Sequence, residues 1–282
     1  MPLCASEYRS AVSIVASPSA TQLGIIAVIS ALGGMVNSIA GGGTLLTFPA
    51  LLGLGVPAIA ANATSTVALW PGSLSSMWGY RRELEGARSW AVRLAVPSLL
   101  GGLAGAALLL VTPEERFKAL VPWLVLGATC LFAVQRPFMG WVARRQSAAA
   151  HGGRTEIGDA RRPIAPGFGM LLMQFLVGVY GGYFGAGAGI VMLAVFGLMG
   201  LTNIHQMNGL KNFNGICFNG VAAITFAAMG YVNWPIAFVM ALGASAGGYL
   251  MSGLAQRVPQ LWVRNAVTVI GLGSAVWLFT MA

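Results

Sequence analysis

Apolar residues come in runs of about 20 from Thr21 onward, each long enough to cross a bilayer core of roughly 30 Å as a helix. The first half of the chain divides into five such segments, at 22–40, 44–54, 58–80, 90–111 and 113–134. The second half divides into five more, at 167–184, 190–199, 204–229, 235–256 and 259–279. The runs are continuous and lack the in-and-out alternation of barrel strands, so a β-barrel does not fit. The expected fold is all-α, a polytopic helical membrane protein. The short segments 44–54 and 190–199 fall below the length a span needs at 1.5 Å per residue. The first of them reads as a half-helix returning from a break, or as a helix ending in a buried turn at Gly55-Val56-Pro57.

Each short segment follows a cluster of small residues, and the clusters are related. Gly41-Gly42-Gly43-Thr44 interrupts the first apolar run, and Asn62-Ala63-Thr64-Ser65 follows in the third segment. Adding 146 leads to Gly187-Ala188-Gly189-Ile190 and to Asn208-Gly209-Leu210-Lys211. The same offset takes Pro113 to Pro259 and Leu126 to Leu272, with a local drift of two residues. Matched breaks in two halves are the pattern of a transporter site built from discontinuous helices. The chain then divides into a tail at 1–20, a membrane repeat at 21–135, a basic cytoplasmic linker at 136–165 and a second repeat at 166–282.

Loop charge orients the halves. The loop after the third segment carries Arg81, Arg82 and Arg88, so it is expected in the cytoplasm. Its equivalent around Tyr231-Val232-Asn233 has no charge, whereas the following loop has Arg257 and Arg264. Equivalent loops then face opposite sides, which requires inverted repeats and places both termini outside the cytoplasm. Trp70, Trp78, Trp90, Trp123 and Trp234 read as interface anchors.

Composition changes this picture in two ways. The chain is 57% hydrophobic and 8% charged, against about 25% charged in soluble domains. Its net charge of +9 invites a nucleic-acid partner, but six of the sixteen basic residues lie in the linker, and no basic-aromatic surface accompanies them. The expected partners are the lipid bilayer and a small anion, with no nucleic acid; a homo-oligomer is compatible with the sequence. Cys4, Cys130 and Cys217 lack metal-ligand spacing, so neither a metal nor a cofactor is expected.

The candidate chemistry follows from an absence. All seven acidic residues, Glu7 to Asp159, fall in the tail or in predicted loops, so the spans offer no fixed negative charge. They do hold Lys211, eight residues into the third segment of the second half. An anion is a natural counter-charge for a lysine in a bilayer interior; the competing reading is a snorkelling lysine. Gly41, Gly42 and Gly43, with Gly187 and Gly189, add backbone N–H groups and positive helix ends; the competing reading is close helix packing. Thr44, Asn62, Thr64, Ser65, Asn208 and Asn212 are side-chain donors suited to an oxyanion. His205 is a candidate proton partner, or else a capping histidine. With only His205 near the spans and no acid beside it, an enzyme triad is poorly supported.

These same residues carry a family resemblance. Ala40-Gly41-Gly42-Gly43, Phe48-Pro49 and Ala61-Asn62-Ala63-Thr64-Ser65 resemble the sulfite exporter TauE/SafE family, and Gly185-Ala186-Gly187-Ala188-Gly189 with Asn208-Gly209-Leu210-Lys211 is similar to its second half. The resemblance covers 21–282 apart from the linker. It implies an inner-membrane permease for sulfur oxyanions such as sulfite, thiosulfate or sulfonates like sulfoacetate. With no buried carboxylate for a coupling cation, the membrane potential is the expected driving force for export. A proton-coupled uptake carrier for another organic anion, or a non-transporting membrane subunit, are the alternatives.

Overall fold

Ten helices carry the chain through the residues that the computed structural model describes, which are 18–39, 41–79, 84, 87–151, 167–198, 201, 204–254 and 260–281. They are α1 (Ala20–Ile39), α2 (Thr44–Gly53), α3 (Ala58–Gly79), α4 (Arg88–Val111), α5 (Glu114–His151), α6 (Phe168–Tyr183), α7 (Ala188–Leu198), α8 (Ile204–Met229), α9 (Trp234–Leu254) and α10 (Gln260–Met281). Four of them, α1, α4, α9 and α5 up to Val134, are long and apolar enough to cross a membrane. Their outer faces bear exposed Val28, Val92, Trp123 and Phe238, as lipid contact requires. The protein is a multi-pass, all-α membrane protein.

The predicted ends hold to within two residues except at α5. Hydropathy ends that segment at 134, yet the helix runs on to His151 and takes in the first part of the basic linker expected at 136–165. The bilayer limits apolarity, not helicity, and Gln146 and Ala148–Ala150 are good helix formers. The remainder of that linker lies outside the described residues.

The short α2 ends in a turn at Gly55-Val56-Pro57, as the second expected alternative had it, but the turn is not buried: Val56 is inside while Gly55 is exposed with open space around it. Gly55 stands at φ +81°, with its N–H on the Leu52 carbonyl and the Val56 N–H on the Leu51 carbonyl. This paired closure needs a left-handed residue that only glycine supplies cheaply. The α3 that follows has its first N–H groups, on Ala58 and Ile59, capped by the Glu114 carboxylate from the start of α5.

The halves interlock. The fourth helix of each half packs on the first and third helices of the other: α4 on α6 and α8, α9 on α1 and α3. Glycines make the approach close. A Cβ on Gly101 would strike the Phe175 carbonyl and one on Gly247 the Ala31 carbonyl; Gly102 meets the Phe218 backbone and Gly248 the Gly72 carbonyl. These pairs exchange when the halves are exchanged, with the 146 offset in most helices and two fewer in the first. The contacts also give direction. Ser98 pairs with Asn214 and Gly102 with Phe218, so α4 runs parallel to α8. Gly72 meets Ala244, and Ser76 meets Gly248, so α3 runs parallel to α9.

Candidate functional site

The two breaks meet at the centre of the bundle. Gly41 and Gly185, both at φ +78° and each two residues past the end of its first helix, occupy equivalent places and turn the chain from α1 into α2 and from α6 into α7, so the breaks align with an offset of 144 rather than 146. A Cβ on Gly41 would stand 2.9 Å from the Gly189 Cα, so backbone faces backbone across the join. The second break is further braced by the Tyr180 hydroxyl, which donates to the Ala186 carbonyl at 2.6 Å. Phe184, fully buried, packs edge-on against Phe48 of α2 with ring centres 5.4 Å apart.

Beside this join lies a cavity of about 40 Å³. One water needs roughly 10–15 Å³, so the space takes a few waters or a compact ion. Equivalent helix faces form its two long walls. Thr66, Leu69, Trp70 and Ser73 come from α3; Lys211, Asn212, Gly215, Phe218 and Asn219 come from α8. The spacing within each set is three to four residues, which is one helical face. Asn37, Gly41 and Thr44 close one end, and Gly185, Ala188, Gly189 and Met192 the other. The first turns of α2 and α7 begin at this cavity, although most of their N–H groups are already bonded to the preceding turns, Leu45 to Gly42, Leu46 and Thr47 to Gly43, Ala188 to Gly185, and Ile190 and Val191 to Gly187.

The chemistry of the wall is one-sided. Lys211 is its one ionisable residue and is 2% exposed. Its Nζ donates to the carbonyl of Ser38 in the last turn of α1, at 3.4 Å. That helix end carries partial negative charge, so the lysine already has a weak counter-charge. Asn212, 6% exposed, has a buried Nδ2 with no hydrogen-bond partner. Such an orphan donor costs about 1–3 kcal/mol. Asn37 and Ser73 join across the cavity through an Nδ2-to-Oγ bond of 2.9 Å, and the Trp70 indole donates to the Ile216 carbonyl at 3.1 Å.

Of the residues singled out from sequence, the structure brings Gly41, Thr44, Gly189, Lys211 and Asn212 together on this wall. The others lie off it. Gly42 packs on Phe132, Gly43 precedes α2 against Gly33, and Gly187 lies against Ala128. The Thr64 hydroxyl accepts the Asn233 N–H at 3.0 Å, and Ser65 pairs with Thr47 at 2.6 Å. Asn62 donates to the Tyr183 carbonyl at 3.1 Å, while its Oδ1, like that of Asn208, is buried without a partner. The His205 side chain lies outside the described residues. Trp70, expected at an interface, instead lies in mid-helix against the cavity, where Gly220 leaves room for its ring. Asn37, Ser73 and Met192 went unnoticed, since singly they look like ordinary interior residues.

Comparison with known proteins agrees with this architecture. The family model described as Sulfite exporter TauE/SafE matches residues 26–278. "Probable membrane transporter protein ORF9" of Sinorhizobium sp is 25% identical over 256 residues, covering 91% of this chain and 92% of that protein. "Probable membrane transporter protein" of Haemophilus influenzae is 28% identical, over 88% of this chain and 91% of that one. "Probable membrane transporter protein YfcA" of Escherichia coli (strain K12) is 27% identical, over 88% and 86%. No solved structure matches the chain significantly.

Proposed function

Since the chain belongs to the sulfite exporter TauE/SafE family of membrane transport proteins, we propose that the central cavity is the substrate site of an inner-membrane carrier that exports a small sulfur-containing oxyanion. One observation carries the choice of an anion. Among the described residues, the cavity wall holds an ammonium, a free amide donor and two helix starts, but no carboxylate. An oxyanion satisfies the Asn212 Nδ2 and adds a full counter-charge for Lys211. Gly41, Thr44 and Gly189 admit it close to the backbone. Sulfite, thiosulfate and short sulfonates such as sulfoacetate fit this chemistry; catalysis forms no part of it.

Helix direction supports inverted halves. The α3 and α4 helices, of 22 and 24 residues, are joined by a connection too short to do anything but return the chain, so they run oppositely. With α8 parallel to α4, it runs against its equivalent α3. That agrees with the loop charges and with both termini outside the cytoplasm.

Export then follows from the membrane potential. An internal anion is expelled with about 2.3 kcal/mol per charge per 100 mV. At about 1.4 kcal/mol per factor of ten, this alone sustains a ratio of several tens-fold. The test is flux from liposomes containing the purified protein, with sulfite, thiosulfate and sulfoacetate as probes. Potential and pH gradient are imposed separately by ionophores. Flux should follow the potential; flux that follows only the pH gradient would establish proton coupling in its place.

A further inference from the structure

The ends of the broken helices are held by two bonds that are related in position but unlike in chemistry. Asn62 on α3 donates through Nδ2 to the carbonyl of Tyr183, the last residue of α6, at 3.1 Å. Lys211 on α8 donates through Nζ to the carbonyl of Ser38, in the last turn of α1, at 3.4 Å. In both, the third helix of one half grips the end of the first helix of the other, immediately before its glycine break.

Their positions straddle the cavity. The equivalent helices α3 and α8 meet where the Trp70 indole reaches Ile216, residues 146 apart. Asn62 lies eight residues before that point on α3, and Lys211 five residues before it on α8. At 1.5 Å per residue these are about 12 and about 8 Å away. Because the two helices run oppositely, the displacements point to opposite sides of the cavity. The broken ends of α1 and α6 are therefore tied down on opposite sides of the cavity.

We propose that the Asn62–Tyr183 and Lys211–Ser38 bonds are the two gates of the cavity, one toward each face of the membrane. This rests on reading the cavity as a carrier site, and it assigns Asn62 a positioning role rather than contact with substrate. The gates differ in strength. The Asn62 bond has an ordinary length, whereas 3.4 Å lies beyond the usual 2.7–3.2 Å range. They also differ in what loosens them. An anion in the cavity competes with the Ser38 carbonyl for the ammonium, but a neutral amide on the far side feels little of its charge. Ser65 occupies the Lys211 position of the first half and bonds within its own half to Thr47. Only one gate, therefore, responds to the substrate's charge.

Accessibility tests this without relying on flux. In a background with Cys4, Cys130 and Cys217 replaced by serine, a single reporter cysteine is placed at Ser73, which lines the cavity and is 8% exposed. Labelling by a membrane-impermeant cationic thiol reagent is followed in right-side-out and in inverted vesicles. Asn62→Leu should raise the labelling rate several-fold from one side only, and Lys211→Met from the other side only. Both substitutions keep side-chain bulk while deleting the donor. Asn62→Ala and Lys211→Leu serve as second variants if either fails to give monodisperse protein. Increases from the same side, increases from both sides in one variant, or no change would each overturn the assignment. Sided labelling without flux of any sulfur oxyanion would sustain the gates and remove the proposed substrate. Flux without sided labelling would do the reverse.

Discussion

Replacing Asn212 by alanine should move stability and binding in opposite directions. The side chain is buried on the cavity wall, and its Nδ2 donor is unpaired. Deleting that orphan removes a desolvation penalty of about 1–3 kcal/mol from the empty protein, less what is lost in packing. The variant should therefore unfold at the same temperature as the parent or a few degrees higher. A hydrogen bond from this donor to a charged oxyanion contributes about 1.5–3 kcal/mol, so its loss weakens binding by roughly 10- to 150-fold. Thermal unfolding in detergent reads both effects. A ligand at 100 times its Kd stabilises the parent by about 2.7 kcal/mol; at the same concentration a 100-fold weaker site returns only about 0.4 kcal/mol. The measurement is the midpoint with and without sulfite, thiosulfate and sulfoacetate. If Asn212→Ala lowers the midpoint of the empty protein yet keeps the full anion-dependent rise, Asn212 is a packing residue and the donor argument is wrong.

Two further outcomes are expected. If the halves are inverted as proposed, with both termini outside the cytoplasm, a C-terminal alkaline phosphatase fusion should be active and a C-terminal fluorescent-protein fusion dark; the opposite pair of results would rule out an odd number of crossings per half. Gly105→Leu should abolish recovery of monodisperse protein, because the Val179 carbonyl and Tyr183 N–H leave no space for a side chain, whereas Gly127→Leu, with open space around it, should stay within about 0.5 kcal/mol of the parent. Equal recovery of the two would mean that the α4–α6 approach is looser than the glycine contacts imply.

Element ends were readable because the bilayer writes them into the sequence as apolar length, and the breaks because small residues interrupt that length. What hydropathy does not record is packing between distant segments. Nothing in the runs 90–111 or 235–256 announces that α4 and α9 change partners and lodge in the opposite half. The candidate site shows the same limit at residue scale. Lys211 stood out as a charge in an apolar segment, and Gly41 and Gly189 as members of breaks. Thr64 and Ser65 are side-chain donors like Asn212, yet they lie two and one residues before the cavity-lining Thr66 on α3. A turn of about 100° per residue carries them off the cavity face to Asn233 and Thr47. Asn37 and Ser73 became visible only as a pair, 36 residues apart.

The most informative feature of the molecule is a single charge in an otherwise exchangeable frame. Where the main packing contacts have counterparts in the other half, as those of α4 and α9 do, exchanging the halves brings the state open to one face close in energy to the state open to the other. A carrier needs that near-equality, since a gap of about 1.4 kcal/mol already skews the two populations tenfold. It also needs something that lets substrate decide between them, as equal affinity for both states shifts neither. On the proposed reading, Lys211, with Ser65 in its place in the first half, is the residue that supplies that difference. A charge-assisted hydrogen bond contributes about 1.5–3 kcal/mol at good geometry. At 3.4 Å the bond to Ser38 falls short of that. On the proposed reading, that bond holds its gate in the empty protein and yields when an oxyanion binds.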